Sequence, residues 1–292
     1  MAPIDLAAAR SSLCVPADDP RKLEKALASA TDQVVVDLED AVSSDRKFAA
    51  RGIAADILGQ GHTKNVVVRI NGLDTRWWRD DLAATVNKDV SITGIVVPKA
   101  EVVEQLGELE HELEQLEVGL GRRLELHLLI ESARGIRDVD RLLAHSKRTT
   151  AVILGYADLS VSLQRPLGRP AALTWLPIQN HLLVAARARG VRAIDGPWFD
   201  FKDTESCAAA NAHAAAFGFD GKWVIHPSQI AGVNAAFSPT AEAVNRARRI
   251  VAAFEEVGAD AVLAVDGAMV DKPVVEAARL VLARDELARS IG

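Results

Sequence analysis

The sequence predicts an α/β protein: a (β/α)8 TIM barrel with a small C-terminal helical lid module. Two observations carry that prediction. Eight short apolar runs alternate with amphipathic helical stretches, and ionisable residues fall just past the ends of those runs. Alternating strands and helices imply parallel strands with crossover helices. Eight such units in a chain of this size make a barrel, whose chemistry sits at the C-terminal ends of the strands. A doubly wound open sheet is the alternative that the pattern leaves.

The predicted strands are Ser12–Val15, Gln33–Leu38, Asn65–Ile70, Ile92–Val97, Leu124–Ile130, Ala151–Leu154, Val191–Ile194 and Lys222–Ile225. Helical stretches between them include Pro20–Ala30, Ser43–Leu58, Glu101–Leu120 and Leu173–Arg189. Leu106, Leu109, Leu113, Leu116 and Leu120 recur at spacings of three and four. Such a stripe packs a barrel helix on its strands; it is too short for a sustained coiled-coil seam. After Phe237-Ser238-Pro239 the rhythm changes. Thr240–Val257 reads as a helix, Ala261–Val265 as a short apolar piece and Val274–Ser290 as a second helix. Residues 1–237 therefore form the barrel, and 238–292 a C-terminal lid and oligomerisation segment.

Composition narrows the function. The chain has 292 residues, 49% apolar and 25% charged, which is ample for one large core. Its net charge of -6 argues against nucleic acid as a partner, which asks for a basic face. Cys14 and Cys207 fit no metal spacing and no disulfide framework, so a reducing, cytoplasmic setting is expected. No apolar run is long enough to span a membrane, so no membrane partner is expected.

The strand ends carry the candidate site. The second strand ends on Asp37, Glu39 and Asp40, the third on Arg69 and Asn71, and the fourth on Lys99. Glu131 closes the fifth, Asp158 follows the sixth, Asp195 the seventh and His226 the eighth. An unpaired carboxylate is expensive to bury, so Glu131 at the end of an apolar run needs a reason. Glu131 and Asp158, at the ends of neighbouring strands, make a hard-oxygen pair suited to Mg²⁺, with Mn²⁺ as the alternative ion. Lys99 is a rival centre, because a desolvated lysine can form a Schiff base. Asp195 in Ala-Ile-Asp-Gly-Pro also suits a turn brace, and His226 in Ile-His-Pro also suits a structural role. No His-x-His or His-Glu-x-x-His spacing points to zinc, and no P-loop or complete dinucleotide glycine motif occurs.

Taken together, these motifs resemble the citrate lyase beta-subunit-like and malyl-CoA lyase family of CoA-ester lyases. Arg10-Ser11-Ser12-Leu13-Cys14-Val15-Pro16 with Pro20 is similar to its Arg-Ser-x-Leu-Phe-Val-Pro-Gly-x-x-Pro opening. Asp37-Leu38-Glu39-Asp40-Ala41-Val42 with Arg51 matches its second-strand motif. Val68-Arg69-Ile70-Asn71 and Val97-Pro98-Lys99 match the third and fourth. Ile130-Glu131-Ser132 stands where the family has Ile-Glu-Thr. Ala193–Pro197, Gly221–Pro227 and Gly267–Pro273 are close to further family motifs. The order of the motifs matches nearly end to end. Ala17 departs from the family glycine and Cys14 from an aromatic. Gly155-Tyr156-Ala157-Asp158 departs from Phe-Gly-x-x-Asp but keeps the aspartate, so the metal pair stays while the pocket wall differs.

The resemblance implies a homo-oligomer of barrels, trimer or hexamer, with a CoA thioester as substrate. Malyl-CoA would give acetyl-CoA and glyoxylate, and citramalyl-CoA acetyl-CoA and pyruvate. Glu131 and Asp158 would hold Mg²⁺. Arg69 would bind substrate and stabilise developing charge, and Glu39 would order Arg69 or metal-bound water. The opening stretch from Arg10 to Pro16 would lie in the CoA-contact region, and Arg21, Lys22 and Lys25, just after the first strand, could meet its phosphates. Asp271, from a neighbouring subunit, would supply the acid. Two alternatives remain: a citrate lyase beta subunit acting on an acyl-carrier-protein thioester, and a non-catalytic scaffold using the leucine stripe.

Overall fold

The computed structural model describes residues 9–166, 172–257 and 263–291. Eight strands alternate with helices in chain order. They begin with β1 (Ser11–Pro16), α1 (Pro20–Leu27), β2 (Gln33–Asp37), α2 (Lys47–Gly59), β3 (Asn65–Arg69) and α3 (Trp78–Thr85). Then come β4 (Gly94–Val97), α4 (Val103–Leu116), β5 (Glu125–Ile130), α5 (Ala133–His145), β6 (Thr149–Leu154), α6 (Tyr156–Ser162) and α7 (Ala172–Arg189). The barrel ends with β7 (Arg192–Asp195), α8 (Thr204–Phe217), β8 (Gly221–Val224) and α9 (Ile230–Ala236).

Every neighbouring pair is parallel, and β8 pairs back onto β1 through Ser11↔Lys222 and Ser12↔Trp223. That pairing closes the ring and excludes the open sheet. Alternate side chains point in and out. Val35, Val67, Val96, Leu129, Ala151, Ile153, Ile194 and Trp223 fill the interior. Val34, Val36, Leu126, Leu128 and Ile130 point outward into the layer beneath the helices. Burial on both faces is why these strands read as continuous apolar runs.

The helices are placed by local chemistry. Asp19 caps α1 by accepting the Lys22 N–H at 3.1 Å, and Pro20 takes the first helical position, where its missing N–H costs nothing. Ser132 caps α5, accepting the Gly135 N–H at 2.9 Å immediately after Glu131. On α4, Leu106, Leu109 and Leu113 are buried in the core and Leu116 packs against it, as does Leu120 in the turn that follows. Each buried leucine contributes roughly 1.5–3 kcal/mol, so the stripe is spent on the barrel and leaves no partner seam.

Several boundaries shift by a few residues, and two of the shifts have a visible cause. The fourth strand starts at Gly94, not Ile92; a Cβ at Gly94 would come within 2.7 Å of the Glu125 carbonyl oxygen. The second helix starts at Lys47, not Ser43, because turns Val42 N–H to Glu39 and Arg46 N–H to Ser43 fill residues 40–46.

The tail is α10 (Ala241–Val257), an antiparallel hairpin of β9 (Leu263–Val265) and β10 (Ala268–Val270), and α11 (Lys272–Ile291). Ala261 and Val262 of the expected apolar piece lie outside the described residues. The tail has its own small core of Ala247, Ile250, Phe254, Val270, Val275 and Ala278. It meets the barrel at the N-terminal end of the strands, where Arg284 donates to Asp220 at 3.3 Å just before β8. Among the described residues, no helix is long and apolar enough to cross a membrane.

Candidate active site

At the C-terminal rim, β2, β3, β4 and β5 bring Asp37, Glu39, Arg69, Lys99 and Glu131 together. Arg69 is 8% exposed and fixed on two sides. Its Nε donates to Asp37 Oδ1 at 2.8 Å and its Nη2 to Asp37 Oδ2; its Nη1 faces Glu39 Oε2 at 3.1 Å. The guanidinium also lies over the Trp223 ring at 5.7 Å. A fixed, permanently charged fork suits recognition of a carboxylate or an oxyanion.

Glu39 is itself held. Lys99 Nζ donates to its Oε1 at 2.6 Å, and the buried Lys47 ammonium donates to the carbonyls of Leu38 and Glu39, both at 2.7 Å. Burial raises the Glu39 carboxyl above its ordinary value, against the pull of Arg69 and Lys99. Lys99 itself has a left-handed backbone, φ 50°. That conformation costs a non-glycine residue energy, and it aims the Lys99 N–H at Glu131 Oε1, 2.8 Å away. Although burial opposes it, the hydrogen bond and charge of Glu39 carry the Lys99 ammonium above its usual range. Lys99 stands as an ammonium paired with Glu39, and it would have to lose that proton before it could act as an amine nucleophile.

Glu131 is 4% exposed, and burial followed by the charge of Glu39 pushes its carboxyl up to about 8. Gly155 makes room for it: a Cβ there would meet Glu131 Cβ at 2.6 Å and Oε2 at 2.8 Å. Asp158 stands in the first turn of α6 at the next strand end. Glu131 and Asp158 together line two cavities. One, of about 170 Å³, also includes Cys14, Arg69, Tyr156, Phe199, Trp223 and Ile225. The other, of about 450 Å³, is more polar and includes Asp74, Lys99, Glu101, Ser132 and Arg134. The Cys14 thiol is pushed up to about 12, chiefly by burial, and is not a nucleophile.

The donor set fits a hard divalent cation. Asp37, Glu39, Asp40, Glu131 and Asp158 crowd the rim against Arg69, Lys47 and Lys99, and Glu39 Oε2 has the Arg69 ion pair but no hydrogen bond. Among the described residues, no group of three or more His, Cys, Asp or Glu side chains is arranged to hold a metal. A two-carboxylate site agrees with Mg²⁺, which takes one or two carboxylates and fills its other positions with water and substrate.

The remaining candidates sort clearly. Pro16 ends β1 on the rim, paired with Asp37. Arg10 does not belong there, contrary to the expectation that it contacts substrate. It precedes β1 at the opposite end of the barrel, bonded through Nε to Asp32 at 2.7 Å and through Nη1 to Ser238 at 2.9 Å. The strand separates its two ends, so the shared motif never meant a shared location. Asp195 braces rather than binds: it is 3% exposed, paired with Lys222 and bonded by the Tyr156 hydroxyl at 2.6 Å. His226 caps the turn at Pro227–Gln229 by accepting the Ser228 N–H at 3.2 Å. Asp271 lies between β10 and α11, accepting the Val274 N–H at 3.3 Å, and lines neither rim cavity. Trp223 and Lys47 escaped sequence reasoning, and Tyr156 entered it only as a departure in the pocket wall, where the structure places it. Inward alternation on β8 points to Trp223, but no local signal marks Lys47.

Fold and site define an acid-rich, arginine-anchored barrel of the carbon–carbon lyase class. A family profile described as HpcH/HpaI aldolase/citrate lyase matches residues 10–227, and the chain belongs to that family. It is similar to a (3S)-malyl-CoA thioesterase of Cereibacter sphaeroides, 34% identical across 97% of this chain and 96% of that one. It is 32% identical to the L-malyl-CoA/beta-methylmalyl-CoA lyase of Rhodobacter capsulatus, across 96% and 95% of the two chains. Among solved structures, protein CitE from Mycobacterium tuberculosis, in complex with magnesium, acetoacetate and coenzyme A, superimposes with a TM-score of 0.78. That protein is 33% identical, and the match covers 96% of this chain and 99% of its own.

Proposed function

We propose that this protein is a Mg²⁺-dependent lyase that cleaves a 3-hydroxyacyl-CoA, such as malyl-CoA or citramalyl-CoA, into acetyl-CoA and glyoxylate or pyruvate. The observation that carries the reading is the buried Glu131, paired with Asp158 around the same two cavities and facing a rigid Arg69. Glu131 and Asp158 would hold the cation. When bound, Mg²⁺ supplies Lewis-acid charge to the oxygens of the acid half.

The bond between the carbinol carbon and the carbon next to the thioester breaks. Its electron pair passes to the acetyl-CoA carbon, leaving an enolate, while the hydroxyl gives its proton to solvent water in the rim cavity and becomes the carbonyl of the oxoacid. Arg69, held by Asp37 and Glu39, stabilises the developing negative charge without reorganising. Glu39 positions Arg69 and Lys99. The enolate carbon then needs a proton, and Arg69 is no donor. Asp271 fills that role from a neighbouring subunit of a trimer or hexamer. The tail meets its own barrel at the end opposite the rim, which supports delivery in trans.

Two other readings rest on relatives. The thioesterase resemblance favours hydrolysis of the thioester, which would release CoA and a free hydroxy acid. A citrate lyase beta subunit from M. tuberculosis, solved with oxaloacetate and magnesium, favours a carrier-bound thioester. Purified protein with Mg²⁺ and a panel of 3-hydroxyacyl-CoA esters tests all three. Acetyl-CoA with an oxoacid supports the lyase. Free CoA with an intact hydroxy acid makes it a thioesterase, and turnover only on the acyl-carrier thioester makes it the beta subunit.

A further inference from the structure

We propose that Tyr156 is a positioning residue for Asp158, acting through a buried relay that runs from α7 to β8. The inference rests on the metal reading given above. Tyr156 opens α6, two residues before Asp158, and is 6% exposed. Gln179 Nε2 on α7 donates to its hydroxyl oxygen at 2.7 Å. The hydroxyl in turn donates to Asp195 Oδ1 at 2.6 Å, and Asp195 Oδ2 takes the Lys222 ammonium. His213 on α8 lies 3.4 Å from Gln179 Oε1 and extends the chain by one more group.

The hydroxyl is therefore saturated on both sides, by a donor from one helix and an acceptor from the next strand. The ring is fixed as well. It packs edge-on against Trp175, with centroids 5.0 Å apart. It also crosses the backbone at Gly196, where a Cβ would meet Tyr156 Cδ2 at 2.6 Å and the Leu154 carbonyl oxygen at 2.3 Å. A bulky ring here thus needs glycine at position 196.

The consequence falls on the carboxylate two residues on. Glu131 is locked by its own strand and the Lys99 N–H, but Asp158 sits on a short helix whose residues 156 to 158 leave the barrel at once. No hydrogen bond from the Asp158 side chain fixes its rotamer among the described contacts. Its direction follows from how the first turn of α6 is pinned; Leu159 is buried beneath it and Ser160 Oγ donates to the Ala157 carbonyl at 2.7 Å, but Tyr156 is the side chain that ties the turn to α7 and β7. A group hydrogen-bonded directly to a metal ligand contributes about 10- to 100-fold in metal affinity; Tyr156 acts one step further out, through the backbone, so its share is smaller.

The test is calorimetric titration of the metal-free, full-length protein with Mn²⁺, together with the electron paramagnetic resonance signal of the bound ion. Tyr156→Phe keeps the ring and its packing and removes only the hydroxyl. We expect Mn²⁺ affinity to fall by about three- to tenfold, short of the roughly 10- to 100-fold of a direct partner, with secondary structure unchanged. Asp195→Asn, which keeps the shape but weakens acceptance from the tyrosine, should lower affinity in the same direction. Wild-type affinity in Tyr156→Phe would overturn the proposal while leaving the metal site standing. A wild-type protein that takes up no Mn²⁺, or an Asp158→Asn variant that binds it normally, overturns the metal reading and this inference with it. Should Tyr156→Phe fail to fold, Gln179→Leu breaks the other side of the same hydroxyl, and unchanged Mn²⁺ affinity there would overturn the proposal equally.

Discussion

Glu125 and Glu131 are the same residue type, on one strand, six positions apart, and both point into the barrel. Their surroundings are opposite. At the base, Glu125 receives Thr150 Oγ1 at 2.6 Å and Arg192 Nη2 at 3.0 Å and lies 3.5 Å from His127. The hydrogen bond with His127, with help from Thr150 and Arg192, lowers its carboxyl to about 2. At the rim, Glu131 has one backbone N–H and a ring of other acids, and its carboxyl rises to about 8. The base therefore spends its charges on one another and closes the barrel. The rim leaves a carboxylate uncompensated, and an uncompensated buried acid is where a cation can be held.

The largest break in this contrast is expected from the rim. Glu131→Gln and Asp158→Asn should each abolish Mg²⁺-dependent turnover, a loss on the order of 10³-fold or more in kcat/KM, with the circular dichroism spectrum kept. Near-native activity of either variant at low Mg²⁺ would remove the site from these residues. Chelation with EDTA should likewise stop turnover, and borohydride with substrate should trap no adduct on Lys99; a trapped adduct with chelator-insensitive activity would restore the Schiff-base mechanism.

The next effect tests whether the rim is complete within one chain. Asp271→Asn should lose roughly 10²-fold or more of turnover while keeping Mg²⁺ and CoA-ester binding. Mixing it with Arg69→Ala under conditions of subunit exchange should restore part of the activity, since some sites then combine a native Arg69 with a native Asp271. Mixed oligomers that form and stay inactive would place the acid within its own chain or remove it from catalysis.

The subtlest effect is on stability against pH in the metal-free protein. Both glutamates titrate near 4.5 when unperturbed. Between 4.5 and about 8 the folded state holds a proton on Glu131 that the unfolded chain has lost, so stability falls as pH rises through that window. Between about 2 and 4.5 the unfolded chain holds the extra proton at Glu125, so stability falls as pH drops. Denaturant midpoints across pH should show the alkaline slope flattened by Glu131→Gln and the acid slope flattened by Glu125→Gln. The alkaline term amounts to a few kcal/mol at most, at about 1.4 kcal/mol per pKa unit. Saturating Mg²⁺ should also flatten the alkaline slope, and an unchanged slope in Glu131→Gln would show that the rim acid is compensated after all.

Much of this was legible along the chain. The alternation of apolar runs and amphipathic stretches determined eight strands, their helices and the tail, because a strand buried on both faces must be apolar throughout. The leucine spacing determined the inward face of α4. The order of the motifs put the acids that follow the fifth and sixth strands on one rim, because a barrel exposes its strand ends there. Only the tertiary structure decided the rest. It sent Arg10 to the base, although Arg10 and Pro16 belong to one motif, because a strand carries its two ends to opposite faces. Asp37, not Glu39, became the two-point anchor of Arg69, and the left-handed backbone at Lys99 turned its N–H onto Glu131. The links from Gln179 through Tyr156 and Asp195 to Lys222 join four elements between residues 156 and 222, and no local pattern encodes them. Sequence determines where a charge stands along its strand; the energy of that charge depends on what other strands bring within a few ångströms, and that is decided only when the barrel closes.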